Sequence, residues 1–140
     1  MIPDLQSSLL CDDVRQERNG KFILIGLFDA VGVPVFPAVF QKICIVNRWC
    51  SGKGIFEQQS RILGCDGTTP VVEGKPLKIH LPDDQATATS VEFFLNVRFE
   101  KEGSYWVEIL LENDLKIRYP IKVARVIPQK QKMPPSDAGQ

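Results

Sequence analysis

Side-chain catalysis needs a nucleophile beside a base, a pair of acids or a set of metal ligands, and this chain is sparing with all three. His80 is its one histidine, and a single imidazole does not make the usual zinc trio. It falls in a short apolar run before Pro82, where a surface or hydrogen-bonded histidine is the expected reading and a catalytic one the sharper alternative. The cysteines, Cys11, Cys44, Cys50 and Cys65, have no C-x-x-C spacing and are expected to be reduced thiols, three of them lying in or beside strand candidates. A disulfide such as Cys11 with Cys44 is the alternative. Asp12, Asp13 and Asp29 should approach one another across a first hairpin, with Asp83 and Asp84 at a loop end. Oxygen-rich loops of this kind suit calcium, yet the ligand spacing of a known calcium loop is missing, so the expectation is solvated acids and no metal or other cofactor. SGKG at Ser51–Gly54 lacks both the spacing and the Lys-Ser/Thr ending of a phosphate loop.

Strands must position whatever chemistry there is. Two alternating runs meet in GSYWVEILLENDLKIRYPIKV, Gly103 to Val123, and read as a hairpin. Leu115, Ile117, Tyr119, Ile121 and Val123 share one face, against Lys116, Arg118 and Lys122 on the other. Opposed residues point to the same side, so parity predicts a three-residue loop, Glu112–Asp114, pairing Leu111 with Leu115, Ile109 with Ile117 and Val107 with Tyr119. Glu108 then faces Arg118 on the outer face, an exposed ion pair worth about 0.2–1 kcal/mol. Tyr105, just after a glycine turn, stands where immunoglobulin-like sandwiches carry a corner tyrosine; an ordinary core aromatic is the plainer reading.

Asn19-Gly20 marks a first hairpin between Leu5–Glu17 and Phe22–Phe28, with helical turns over DDVRQER as the competitor. FILIGLF is apolar on both alternating faces, which predicts a central strand whose outer face a loop, a tail or another subunit covers. Pro34 and Pro37 make Val31–Pro37 a crossing loop. Its Val33, Val35 and Phe36 form either a partner surface or, the preferred reading, a cap over the sandwich end. Val39–Cys50 is a strand with Ile43, Ile45 and Trp49 in phase; Ile55–Leu63, more polar, is placed at an edge. Asp66-Gly67 turns into Thr68–Glu73, Lys75–Leu81 is short, LPDDQATATS is loop, and Val91–Phe99 alternates with Val91, Phe93, Leu95, Val97 and Phe99 inward. Beyond Arg125, residues 126–140 read as a disordered tail.

The expectation is an all-β, single-domain antiparallel sandwich over residues 1–125, of eight or nine strands in an immunoglobulin-like architecture, with no long helix. Lysine plus arginine equals aspartate plus glutamate at 17 each, so the net field favours neither nucleic acid nor anionic membrane. The opening residues lack the basic and apolar regions of a signal peptide, and no window reaches the roughly 20 apolar residues of a membrane span.

LLCDDVRQERNGKFILIGLFD, the proline-bearing loop, the Asp-Gly turn and GSYWVEILLENDLKIRYP together resemble a family of short bacterial proteins of unknown function. That resemblance implies a compact β-domain of bacterial origin and carries over no active site. The leading expectation is a soluble, cytoplasmic, non-enzymatic interaction or assembly module, self-associating as a homodimer or binding a protein partner. Its candidate surface is Trp106, Leu110, Phe94, Val33, Val35 and Phe36. The alternative is a small-ligand or carbohydrate-binding domain that uses the outward aromatics Trp106 and Phe94, and hydrolysis at a cysteine or His80 ranks last.

Overall fold

The computed structural model describes residues 1–127, and within them the chain is all β. Ten strands follow one another: β1 Asp4–Gln16, β2 Phe22–Phe28, β3 Ala30–Val33, β4 Ala38–Cys50, β5 Gly54–Leu63, β6 Pro70–Glu73, β7 Leu77–Leu81, β8 Thr87–Phe99, β9 Gly103–Leu111 and β10 Asp114–Arg125. Four form one sheet in the order β2-β1-β4-β8; six form the other in the order β3-β10-β9-β5-β6, with β7 also on β5. The core lies between the sheets, where Ile43, Ile45 and Trp49 of β4 meet Ile62 of β5 and Val107 and Ile109 of β9. Among the described residues no helix is long and apolar enough to cross a membrane.

The tenth strand is β3, which takes Val31–Val33 out of the segment expected to be a crossing loop. Ala30–Val33 pairs in parallel with Lys122–Arg125 at a sheet edge, and the prolines follow it, where no ladder amide is needed. The chain therefore crosses between sheets here, as expected, but leaves one parallel pair in an otherwise antiparallel set. Pairing along β8 begins at Thr87, so the end of the segment read as loop is strand. The predicted tail, 126–140, lies outside the described residues except for Val126 and Ile127; the Val126 amide still donates to the Val33 carbonyl at 2.9 Å.

Parity placed the β9–β10 register correctly: Ile109 faces Ile117, Glu108 faces Arg118 and Val107 faces Tyr119. The turn itself is tighter than expected, with Leu111 opposite Asp114 and Leu115 opposite Leu110 rather than Leu111 opposite Leu115. Glu112 and Asn113 both take positive φ, 49° and 67°, which is the geometry of a two-residue type I′ turn. The extra residue is absorbed by a bulge between Leu115 and Ile117. Glu108 is not an exposed partner either. It is buried, held by Arg61 at 2.6 Å and Arg118 at 3.4 Å, while Arg118 also lies 4.8 Å above the Trp106 ring.

At the start of β9 the Tyr105 hydroxyl donates to the Lys101 carbonyl at 2.6 Å and accepts the Lys101 amide at 3.3 Å. Its ring packs edge-on against Phe99 at 4.7 Å. Tyr105→Phe keeps the ring contact and loses only the hydroxyl bonds, so it should cost about 1 kcal/mol in chemical denaturation. No loss at all would mean the loop holds itself.

Candidate functional site

β5 and β2 exchange their expected places, interior for edge, and both differences concern the site. β5 is interior, paired with β9 on one side and with β6 and β7 on the other. Its polar residues point into the core because Phe56, Gln58, Ser60 and Ile62 share one phase. From the facing sheet come Asn47 and Trp49 on β4, and Ser90 and Glu92 on β8, with Asn47 directly opposite Ser90.

Gln58 is the hub of the buried cluster that results. Its Oε1 accepts from Trp49 Nε1 at 2.7 Å, Ser90 Oγ at 2.8 Å and Asn47 Nδ2 at 3.2 Å, and its Nε2 donates to Glu92 at 3.0 Å. Ser60 donates to the same Glu92 oxygen at 2.5 Å and accepts from Asn47 at 3.1 Å. Asn47 Oδ1 is buried with no hydrogen-bond partner among the described residues. A β-carbon placed on Gly74 would touch the other Glu92 oxygen at 2.5 Å, so the glycine lets the β6–β7 link close over the carboxyl.

Burial pushes the Glu92 carboxyl above its ordinary value, and the Ser60 hydrogen bond opposes this. The folded state therefore holds its proton to higher pH than the unfolded state. The stability this group contributes is full below the unfolded value near 4.5 and falls as pH rises towards the folded one. Glu92→Gln keeps an acceptor for Ser60 and Gln58 without the charge. The variant should be more stable than the parent at neutral pH by about 1 kcal/mol, and the difference should vanish below about pH 4. Melting curves from pH 4 to 8 check it; a constant difference would assign Glu92 an unshifted carboxylate. Asp13 acts in the opposite sense: hydrogen bonds from Lys42 and then Arg15 hold it down at about 2, so its share is lost as acid is added.

β8 reverses phase at Asn96, which takes φ 55°. Val97 and Phe99 point inward as expected, but before the reversal Glu92 and Phe94 are inward and Phe93 and Leu95 outward. The expected outward Phe94 is thus core. Among the other anticipated surface residues Leu110 and Val33 are buried, Phe36 packs against the core, and Trp106 is half-buried beneath Arg118. Only Val35 is freely exposed, at 63%.

The exposed apolar surface is elsewhere, on the four-stranded sheet. Across its outer face Leu9, Val46 and Val91 lie in one row, and Cys11, Cys44 and Phe93 in the next. Phe93 and Leu95 are 50% and 65% exposed. The strand expected at the centre, β2, is the edge of this sheet, and Phe22, Ile23, Ile25 and Leu27 are all exposed. β1 pairs with β4 only as far as Cys11. Beyond it Gly26, at φ 72° and pressed against Asp12, turns the hairpin so that Val14 and Leu24 pack on Cys11, Cys44 and Val46. A groove of about 620 Å³ runs beneath, between Phe22 and Leu24 of the hairpin and Leu9, Val46 and Arg48 of the sheet.

The groups that carry chemistry are not gathered. Cys11 and Cys44 are cross-strand neighbours and free thiols; burial raises both, Cys44 to about 11, which leaves them poor nucleophiles. His80 is exposed on β7 opposite Ile55. Among the described residues no three of His, Cys, Asp and Glu are placed to hold a metal ion, and Asp13 is instead bonded to Lys42 at 2.7 Å and Arg15 at 3.0 Å. No curated protein matches the chain. Its residues 6–124 match the family of unknown function DUF6941, and the protein belongs to that family.

Proposed function

We propose that this protein is a non-enzymatic interaction module, a β-sandwich of immunoglobulin-like architecture that docks through the apolar side of its four-stranded sheet. The observation that carries the reading is the uncharged edge strand β2 together with exposed Phe93 and Leu95 on β8, at the opposite edge of the same sheet. Soluble monomers rarely leave this many large apolar side chains open on one sheet. The corner-like bond of Tyr105 and the buried Trp49 support the architecture, and four free thiols support a cytoplasmic setting.

A photo-crosslinking residue placed at Phe93, Phe22 or Val35 in the cells that make the protein tests the docking side. Adducts are expected from the first two positions and not from Val35, which is as exposed but lies on the loop between the sheets. Equal yields at all three would contradict the assignment. The groove beneath the hairpin favours a second reading, a small amphiphilic ligand whose anionic end meets Arg48; a thermal-shift series with fatty carboxylates should raise the melting temperature if it holds.

A further inference from the structure

β2 stops at Phe28, opposite Leu10, and the chain then steps through Asp29 into β3 of the other sheet. That crossing leaves two stretches without a neighbour. On this side β1 has no partner strand from Asp4 to Leu9, and β10 has none from Asp114 to Ile121, because β3 pairs only with Lys122–Arg125. The sandwich is open between them. A cavity of about 340 Å³ lies in the opening, walled by Leu10, Leu27, Phe28 and Pro120, and lined also by Ser8 and Tyr119.

Its polar atoms are few and imperfectly matched. Ser8 Oγ and the Tyr119 hydroxyl, one from each sheet, meet at 2.8 Å in a part-buried position. Neither has another hydrogen-bond partner among the described residues, so two hydroxyl hydrogens share one bond and one hydrogen is left over. Burial pushes the Tyr119 hydroxyl up to about 12, with the Ser8 bond opposing it, so the pair is a neutral donor at physiological pH. At the rim, Asp29 is exposed and makes no ion pair among the described residues. Its carboxylate disfavours an anion beside it.

We infer that this cavity binds a small neutral molecule with an apolar body and a carbonyl oxygen, which accepts the hydrogen left over by the Ser8–Tyr119 pair. Apolar walls with a few placed polar groups are the usual make-up of a ligand site, and the volume is at the lower end of the usual range. One substituted ring is the size that fits. The site is distinct from the groove beneath the hairpin, which is lined by Lys21 and Arg48, and it stands independently of the docking reading.

Acetophenone is the probe, titrated into isotope-labelled full-length protein and followed by NMR. The amides of Ser8, Leu10 and Tyr119 should shift saturably, with half-saturation at about 1 mM. Benzoate has nearly the same shape and should bind at least about 10-fold more weakly. The double variant Ser8→Ala with Tyr119→Phe keeps the walls, loses both hydroxyls and should weaken acetophenone about 5-fold. Leu27→Trp alters a side chain that is 61% exposed, so the fold should tolerate it, and the larger ring should fill the mouth and abolish binding. No saturable shift below about 20 mM, an affinity unchanged by Leu27→Trp, or shifts centred on Phe22, Val46 and Arg48 would each overturn the site. Benzoate binding as tightly as acetophenone overturns the neutral class.

Discussion

Gln58→Ala is expected to lower the unfolding free energy by about 3–5 kcal/mol, because one truncation strands four buried groups at once. Trp49 Nε1, Ser90 Oγ and Asn47 Nδ2 lose their shared acceptor, and Glu92 loses a donor. For a chain of this length such a loss lowers the thermal midpoint by about 10–20 °C. Gln58→Leu separates the two parts of the cost. It refills most of the volume and restores no hydrogen bond, so it should remain nearly as unstable as the alanine variant if polar satisfaction dominates. If the cavity dominates, leucine should recover most of the stability. Gln59 is the internal control. Its amide reaches only the Gly74 carbonyl at 3.0 Å, and Gln59→Ala should cost less than about 1 kcal/mol.

The cluster bears on function through β8. Glu92 is tied to Ser60 and Gln58 across the core, and its neighbours Val91 and Phe93 point the other way, onto the outer face. Loss of the cluster should therefore loosen the strand that presents Phe93 and Leu95, and should weaken docking as well as stability.

The second large effect is expected from a charge at the edge. Ile25→Lys places an ammonium group within the apolar docking side proposed above and should lower the cross-linking yield at Phe93 by at least about 10-fold. The side chain is exposed within one chain, so the monomer's urea midpoint should stay within about 0.5 kcal/mol of the parent. Val35→Lys, at a similarly exposed site, should change neither quantity. If both lysines weaken docking equally, the effect is net charge rather than the apolar side of the sheet.

Much of this was legible in the residues, and the failures have physical causes. Period-two parity located the β9–β10 register, since a slip of one residue would expose Ile109 and bury Arg118. It could not tell a three-residue loop from a two-residue loop followed by a bulge, because both add one residue. The inward face of β8 was missed because one positive-φ residue, Asn96, inverts everything before it, and an asparagine in a strand does not announce that conformation. FILIGLF is apolar on both faces, yet it lies at a sheet edge rather than at the centre, and an apolar edge strand and a covered central one look alike in sequence. The polar cluster did leave a signal: Gln58 and Ser60 keep the phase of Phe56 and Ile62. Phase, not polarity, sets the place of this strand, which is why β5 is interior rather than at the expected edge.

Hydrogen exchange followed at rising protein concentration tests the docking surface most directly. The account predicts that amides of residues 22–28 slow as concentration increases, with smaller slowing across Val91–Leu95 and none across the β9–β10 hairpin. Slowing confined to residues 103–123, or no change within 22–28 while the particle mass doubles, would contradict it.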